Sequence, residues 1–332
     1  MSLNTENVMV LLGKANLKEG SRGAKIKHFI GNYGILIFFA LIVLFLALAA
    51  PNFLTLNNIV NVVRQSSIIG IIALGMTFIM ITAGIDLSVG SVVGLAGVIF
   101  AMLAPSSGSA FWIPLVVGLG VGLLVGFLSA ALVVWGKILP FLATLATMAI
   151  ARTAALVITQ GQVISNLSAP AEWLGSGFLG PVPIPVIIFI LAAIVCDFVL
   201  SRTKFGSHVY AVGGNEESAR KVGISVRRVL LSVYLIGGVL AALGGLVLTA
   251  RLNGAAPVAG TGYELQVIAA VVIGGTSLFG GVGTIRGTVI GVLLLGVVMN
   301  GMNLLGVSSY FQLGVQGVIL VLAVLLNRWR TD

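Results

Sequence analysis

Apolar stretches about as long as a bilayer core is thick recur from Gly34 almost to the end of the chain, and roughly 20 such residues make one membrane-crossing helix. Charged residues are 8% of the total, where a soluble domain carries roughly a quarter. The pattern predicts an all-α polytopic membrane protein with no separate soluble domain. Residues 34–327 read as a single transmembrane domain, preceded by a basic tail, 1–33, and followed by a short tail, 328–332. The lysines and arginines of the first tail come before an apolar run long enough to span, so no cleavable leader is predicted there. Cys196 is the only cysteine; it predicts neither an internal disulfide nor thiolate chemistry.

The net charge of +9 suggests a nucleic-acid binder until its distribution is read. Basic residues cluster at Lys14–Lys27, between Arg202 and Arg228, and at Arg328 and Arg330, without the interleaved aromatics of a single-strand binder. Such clusters mark cytoplasmic loops, so no nucleic-acid partner is expected. With a cytoplasmic N-terminus, about ten crossings put every cluster on the same side. They run near Gly34–Ala50, Asn58–Ala83, Ser88–Leu103, Phe111–Val134 and Phe141–Thr159, then Ile184–Leu200, Val229–Ala250, Leu265–Phe279, Thr288–Asn303 and Tyr310–Asn327. Both termini are then cytoplasmic. The longest outer loop is 160–183, and the segment Ser201–Arg228 faces the cytoplasm.

Asp86 lies inside one of the most apolar regions, "ITAGIDLSVGSVVGL". A lone carboxylate in mid-bilayer is costly. Gly84 ends one crossing, and Asp86 and Ser88 are both residue types that cap a helix by accepting from its free amides. A structural turn and cap near the interface is therefore expected. Gly90, Gly94 and Gly97 follow at a spacing that lets a neighbour approach closely.

"ALGMTFIMITAGIDLSVGSVVGLAG" closely resembles the signature region of permease subunits of bacterial ribose-type sugar ABC importers. The resemblance continues through "LPFLATLATM", "YAVGGNEESARKVGI", "ARLNGAAPVAGTGYELQVIAAVVIGGTSLFGG" and "NGMNLLGVSSYFQ", from about Pro51 onward. It implies an ABC importer permease fold of the cobalamin-importer type in the bacterial inner membrane. It also implies a second permease chain, as a homodimer, a periplasmic sugar-binding protein and a cytoplasmic ABC ATPase that holds the ATP and magnesium. The substrate implied is ribose or a related monosaccharide. The chain's own nearest approach to a nucleotide loop, "GGVGTIRGT", has Arg286 where the P-loop requires lysine, so no catalysis of its own is expected.

In "YAVGGNEESARKVGISVRR", Asn215 can cap a short helix, Glu216 and Glu217 suit its first turn, Arg220 and Lys221 its last, and Gly223 its end. The resemblance identifies 213–224 as the coupling segment that docks on the ATPase, with Asn215, Glu216, Glu217, Ala219 and Arg220 as contact residues; a surface helix on anionic lipid is the alternative. For the sugar path the candidates are small polar residues in apolar helices: Thr144, Thr147, Asn300, Asn303, Gln312 and Gln316. Each serves equally as interhelical glue. Glu172, Arg251 and Glu264 flank outer loops and are candidates for binding-protein docking. Arg152 is expected near the outer end of its helix, where its long stem reaches headgroups or pairs with an acid such as Glu172, and Asp197 is expected to pair with Arg202 or Lys204. An ion-coupled secondary transporter is the rival class; it would need ionisable groups at the midplane, whereas nearly every acid here falls at a loop or helix end.

Overall fold

The structure, a computed structural model, describes residue 37, residues 39–105 and residues 111–331, with side chains as far as residue 325. The basic tail, part of the loop after Ala104 and the side chains of Arg328 and Arg330 lie outside the described residues. The chain divides into two units, Met1–Leu48 and Ala49–Asp332. The first holds all but the last residue of an apolar helix, Phe39–Ala49 (α1).

The second unit begins with α2 (Leu56–Ile81), α3 (Val89–Leu103), α4 (Trp112–Val134) and α5 (Pro140–Thr159). A connecting region follows, with β1 (Ile164–Ser165), α6 (Ala169–Ser176), β2 (Phe178–Leu179) and β3 (Val182–Pro183). Then come α7 (Ile184–Arg202), α8 (Lys204–Gly214), α9 (Glu216–Lys221), α10 (Val226–Leu252), β4 (Gly254–Ala255), α11 (Tyr263–Ile273), α12 (Ile285–Leu304) and α13 (Ser309–Thr331). Among the described residues, six helices are long and apolar enough to cross a membrane: α2, α4, α5, α7, α10 and α12. The helices α1, α3, α11 and the apolar part of α13 are shorter.

Helix starts follow local chemistry. Thr55, Thr203 and Thr284 cap α2, α8 and α12 by accepting from the amides of Asn58, Gly206 and Gly287, which satisfies donors that have no partner inside the helix. Pro140 opens α5, where its missing N–H costs nothing. Helix α10 packs against α2, α3 and α4, and α2 is buried on every side from Ser66 to Ile81, as a helix apolar all round must be. The helices α4, α5 and α7 instead expose large apolar side chains such as Leu124, Phe127, Ile150 and Ile194, a surface suited to lipid.

Two elements depart from the hydropathy reading. The crossing expected over Leu265–Phe279 is the shorter α11, which stops at Ile273 because Gly275 takes a left-handed φ of 91°; turns fill the gap to α12. The long loop after α5 is built rather than open. Its β1 pairs antiparallel with β4, Ile164 opposite Ala255 and Ser165 opposite Gly254, so the loops following α5 and α10 are tied together.

Candidate functional site

The best-defined surface feature is α9. The Asn215 side chain accepts from the Ser218 amide at 2.7 Å, Arg220 pairs with Glu216 at 2.6 Å and Lys221 with Glu217 at 2.7 Å. Both pairs have the i,i+4 order, acid first, that suits the helix dipole. Ala219 is buried beneath them. Gly223, at φ 85°, ends the turn while the Ile224 amide donates back to the Ala219 carbonyl at 3.0 Å. The cap, charge order and terminator expected from the sequence are all present.

This segment is locked to the core behind it. Tyr210 on α8 donates its hydroxyl to the Gly283 carbonyl at 2.7 Å, and the Gly281 amide donates to the Ile81 carbonyl at 2.9 Å. A side chain at Gly213 would overlap that same Ile81 carbonyl. Burial, and less strongly the nearby Asp197, hold the Tyr210 phenol above its ordinary pKa, so it remains a donor. These contacts join α8, which leads into α9, to the end of α2 and the turn before α12. Asp197 pairs with Arg286 at 3.3 Å, not with Arg202 or Lys204: the start of α12 brings Arg286 across to it.

Two breaks in the helical pattern meet inside the bundle. Between α2 and α3 the chain leaves the helix, and one Asp86 oxygen accepts from both the Ser88 amide at 2.8 Å and the Ser88 hydroxyl at 2.6 Å. The carboxylate closes the turn expected before α3, but it accepts from Ser88, the residue before the helix, and not from the free amides of α3. Ser88 does not cap through its own side chain, because its hydroxyl is donated to Asp86. Asp86 is 1% exposed, so this turn is buried within the protein. The second break is the stretch 256–262 before α11. It runs along the first turns of α3, where Gly90 and Gly94 leave room for it: a Cβ at Gly94 would stand 2.8 Å from Nη1 of Arg152 and 3.0 Å from the carbonyls of Pro257 and Ala259.

Arg152 joins the second break to the first turn of α3. Its Nη1 donates to the carbonyls of Pro257 at 2.6 Å and Ala259 at 2.9 Å, and its Nη2 to that of Gly90 at 3.3 Å. The expected pairing with Glu172 at the outer helix end does not form; Arg152 lies seven residues before the end of α5 and satisfies backbone. The acid within its electrostatic reach is Glu264, whose Oε1 accepts from the Gly262 amide at 3.2 Å. Irregular backbone inside a membrane bundle requires such internal donors.

The six polar residues named for the sugar path are all engaged. Thr144 donates to the Ile85 and Pro140 carbonyls at 3.2 and 2.9 Å, and Thr147 shares a 2.8 Å hydrogen bond with Ser129. Asn300 exchanges two hydrogen bonds with Asn58, at 2.8 and 2.9 Å. Gln312 donates to Asn303 at 2.7 Å and Gln316 approaches the Met299 sulfur at 3.3 Å.

At the far end of α10 from α9, Arg251 lies within electrostatic reach of Arg64 and Tyr263. The Arg64 guanidinium stacks over Phe178, 4.8 Å from the ring centre. Neither arginine has an acidic partner among the described residues; Glu172, in the first turn of α6, forms no ion pair there. Arg64 was not singled out above. Its signal is that it is the only lysine or arginine between Lys27 and Lys137, a lone cation in an otherwise uncharged helix.

Residues 58–324 match the family model described as branched-chain amino acid transport system / permease component. The chain is 43% identical over 290 residues to the ribose import permease protein RbsC of Bacillus subtilis (strain 168), covering 87% of this chain and 90% of that one. It is 43% identical over 282 residues to RbsC of Escherichia coli (strain K12), 84% and 88% covered. The D-allose transport system permease protein AlsC of the same strain is 40% identical over 298 residues, 89% and 91% covered. No solved structure matches.

Proposed function

This chain belongs to the branched-chain amino acid transport system permease component family, and from that premise we propose that it is the transmembrane permease subunit of an ATP-driven importer for ribose or a related monosaccharide. The observation that carries the proposal is the extent of the likeness: ribose import permeases from two distant bacteria match it at 43% identity across more than four fifths of both chains. Together with the helices able to cross a bilayer, this supports reading it as an integral membrane protein of a sugar importer whose ATPase and binding protein are separate subunits.

In this reading α9 is the coupling helix, with Asn215, Glu216, Glu217, Ala219 and Arg220 at the ATPase surface. ATP and magnesium belong to that partner. The rigid link from α9 through Tyr210 and Gly213 to α2 and the turn before α12 supports such a role, because a stroke at the surface needs a stiff path inward. The end of the bundle that carries α9 then faces the cytoplasm with both termini, in the bacterial inner membrane. Two copies pair as a homodimer, with ten helices each in the cobalamin-importer arrangement. The chain performs no catalysis.

The binding protein docks at the opposite end, where Arg251 and Arg64 offer charge without a counterion, with Glu172 and Glu264 nearby in sequence to the same loops. The sugar path runs past Thr144, Thr147, Asn300, Asn303, Gln312 and Gln316, whose hydrogen bonds to neighbouring helices are the ones that must rearrange as it opens. The test is co-purification with the cognate ATPase and binding-protein-stimulated ATP hydrolysis in nanodiscs. Formation of the complex and ribose-dependent stimulation support the reading; sugar movement driven by an ion gradient without nucleotide overturns it.

A further inference from the structure

Just past the end of α9, a cavity of about 410 Å³ opens between α8 and the start of α10. Its polar wall is His208, Ser225, Arg228 and Ser232, and its apolar wall includes Phe205 and Val229. That volume is within the roughly 300–1,000 Å³ of small-molecule sites. The charges around it are uncompensated. Among the described residues the ion pairs are Arg220–Glu216, Lys221–Glu217 and Arg286–Asp197, so the acids of α9 and of the end of α7 are already paired. Among the described residues Arg228 and His208 have no acidic ion-pair partner, and neither do Arg202, Lys204 and Arg227 of the same segment.

We propose that this cavity is a binding site for the headgroup of an anionic phospholipid. Arg228 receives the phosphodiester as a planar, permanently charged fork, with His208 as a second donor. The hydroxyls of Ser225 and Ser232 face the glycerol and its ester carbonyls. Phe205 and Val229 line the way for the first acyl carbons. The order of groups fits: Arg228 and His208 are exposed, whereas Phe205 is half-buried and Val229 buried, so charge sits at the mouth and apolar wall deeper, as a lipid entering from the cytoplasmic leaflet requires. A soluble phosphate would use only the Arg228 end and leave the apolar wall uncovered. The inference rests on the permease reading for one point, that this end of the bundle meets the membrane's cytoplasmic face. Because Ile224 and Ser225 connect the cavity directly to α9, an occupied site holds the coupling segment at a fixed angle to α10.

The experiment is native mass spectrometry of the full-length protein with its ATPase, extracted from nanodiscs containing equal phosphatidylglycerol, phosphatidylethanolamine and phosphatidylcholine. Phosphatidylglycerol retained at least five-fold over the other two by wild type and by Arg227→Ala, and lost in Arg228→Ala/His208→Ala, supports the site. Equal retention of all three lipids overturns it. So does displacement by millimolar glycerol 3-phosphate alone, which would identify a soluble anion site. Retention of phosphatidylglycerol in the double variant together with loss of the ATPase also overturns it, since those residues then serve the protein interface. Absence of the ATPase from wild type would count against the permease reading alone, because lipid selectivity is read in the same spectrum.

Discussion

Arg152 on α5 and Pro257, 105 positions later in the chain, are joined by a 2.6 Å hydrogen bond from guanidinium to backbone carbonyl. That bond, with those to Ala259 and Gly90, fixes a non-helical stretch against a helix that itself starts inside the bundle. Each carbonyl left buried without a donor costs about 1–3 kcal/mol. Arg152→Ala is therefore expected to lower the melting temperature in detergent by several degrees and to leave little folded protein at 37 °C. Arg152→Lys is expected to fall between, because one ammonium cannot span three carbonyls in a fixed fork. A melting temperature unchanged in both variants would show that water replaces the guanidinium.

Gly94 faces that guanidinium. A methyl group there would stand 2.8 Å from Nη1 and 3.0 Å from two carbonyls, all parts of a hydrogen-bonded cluster with no room to retreat. Gly94→Ala is expected to destabilise the protein comparably to Arg152→Ala, and the two changes together are expected to cost much less than their sum. Additive melting shifts would mean that the two residues act separately.

The difference between what the sequence made legible and what it did not lies in the range of the interactions. The α9 cap, its charge order and its glycine stop are set by residues within ten positions of one another, and the structure has them as expected. Asp86 was legible as a residue of the turn before α3 for the same reason. Its burial was not, because the groups that enclose it come from α5 and α10. Arg152 was placed at a helix end because the cost of a buried cation was clear, whereas its partners are main-chain carbonyls, which carry no residue-type signal. The early stop of α11 was written in Gly274 and Gly275, but hydropathy averages over them.

Asn58 and Asn300 exchange two hydrogen bonds between α2 and α12. Interhelical polar contacts within membranes average about 0.6 kcal/mol and reach about 1.7. A double-mutant cycle with Asn58→Leu and Asn300→Leu is expected to give a coupling near the upper value, since each single change leaves the other amide without its partner. If Asn300 also contacts passing sugar, Asn300→Leu lowers transport more than stability predicts, and transport by Asn58→Leu supplies the comparison.

Gly213 stands against the Ile81 carbonyl, two residues before the Asn215 cap of α9. Gly213→Ala is expected to shift α8 rather than unfold the bundle, because the obstruction lies at one end of both helices. The predicted result is a complex that still assembles with its ATPase and hydrolyses ATP, with stimulation by the binding protein and sugar uptake reduced together. Glu216→Lys should act differently: it reverses one member of the Arg220 pair on the exposed face of α9 and is expected to weaken ATPase association itself. Identical phenotypes for the two variants would contradict a division between docking surface and transmitting contact.

Arg64 and Arg251 raise a sharper electrostatic question. Two like charges within reach of each other repel, and a fold that keeps them together without an acid must gain elsewhere. Part of the compensation is visible, since Arg64 lies over the Phe178 ring, an arrangement of roughly 0.5–1 kcal/mol at exposed sites. A carboxylate from a docking protein would supply the remainder, and would do so mainly in encounter rate and orientation. Arg64→Gln and Arg251→Gln are each expected to raise several-fold the binding-protein concentration needed for half-maximal ATPase stimulation. Both should leave unstimulated hydrolysis unchanged and melting temperature equal or higher, because repulsion is relieved. The wild-type requirement should rise steeply between 50 and 300 mM salt as screening shortens the reach of the pair, and the double variant should lose most of that salt dependence. An unaltered salt profile in the double variant would assign the two arginines to lipid headgroups instead, and the docking surface would then have to be sought on α6 and the loop before α11.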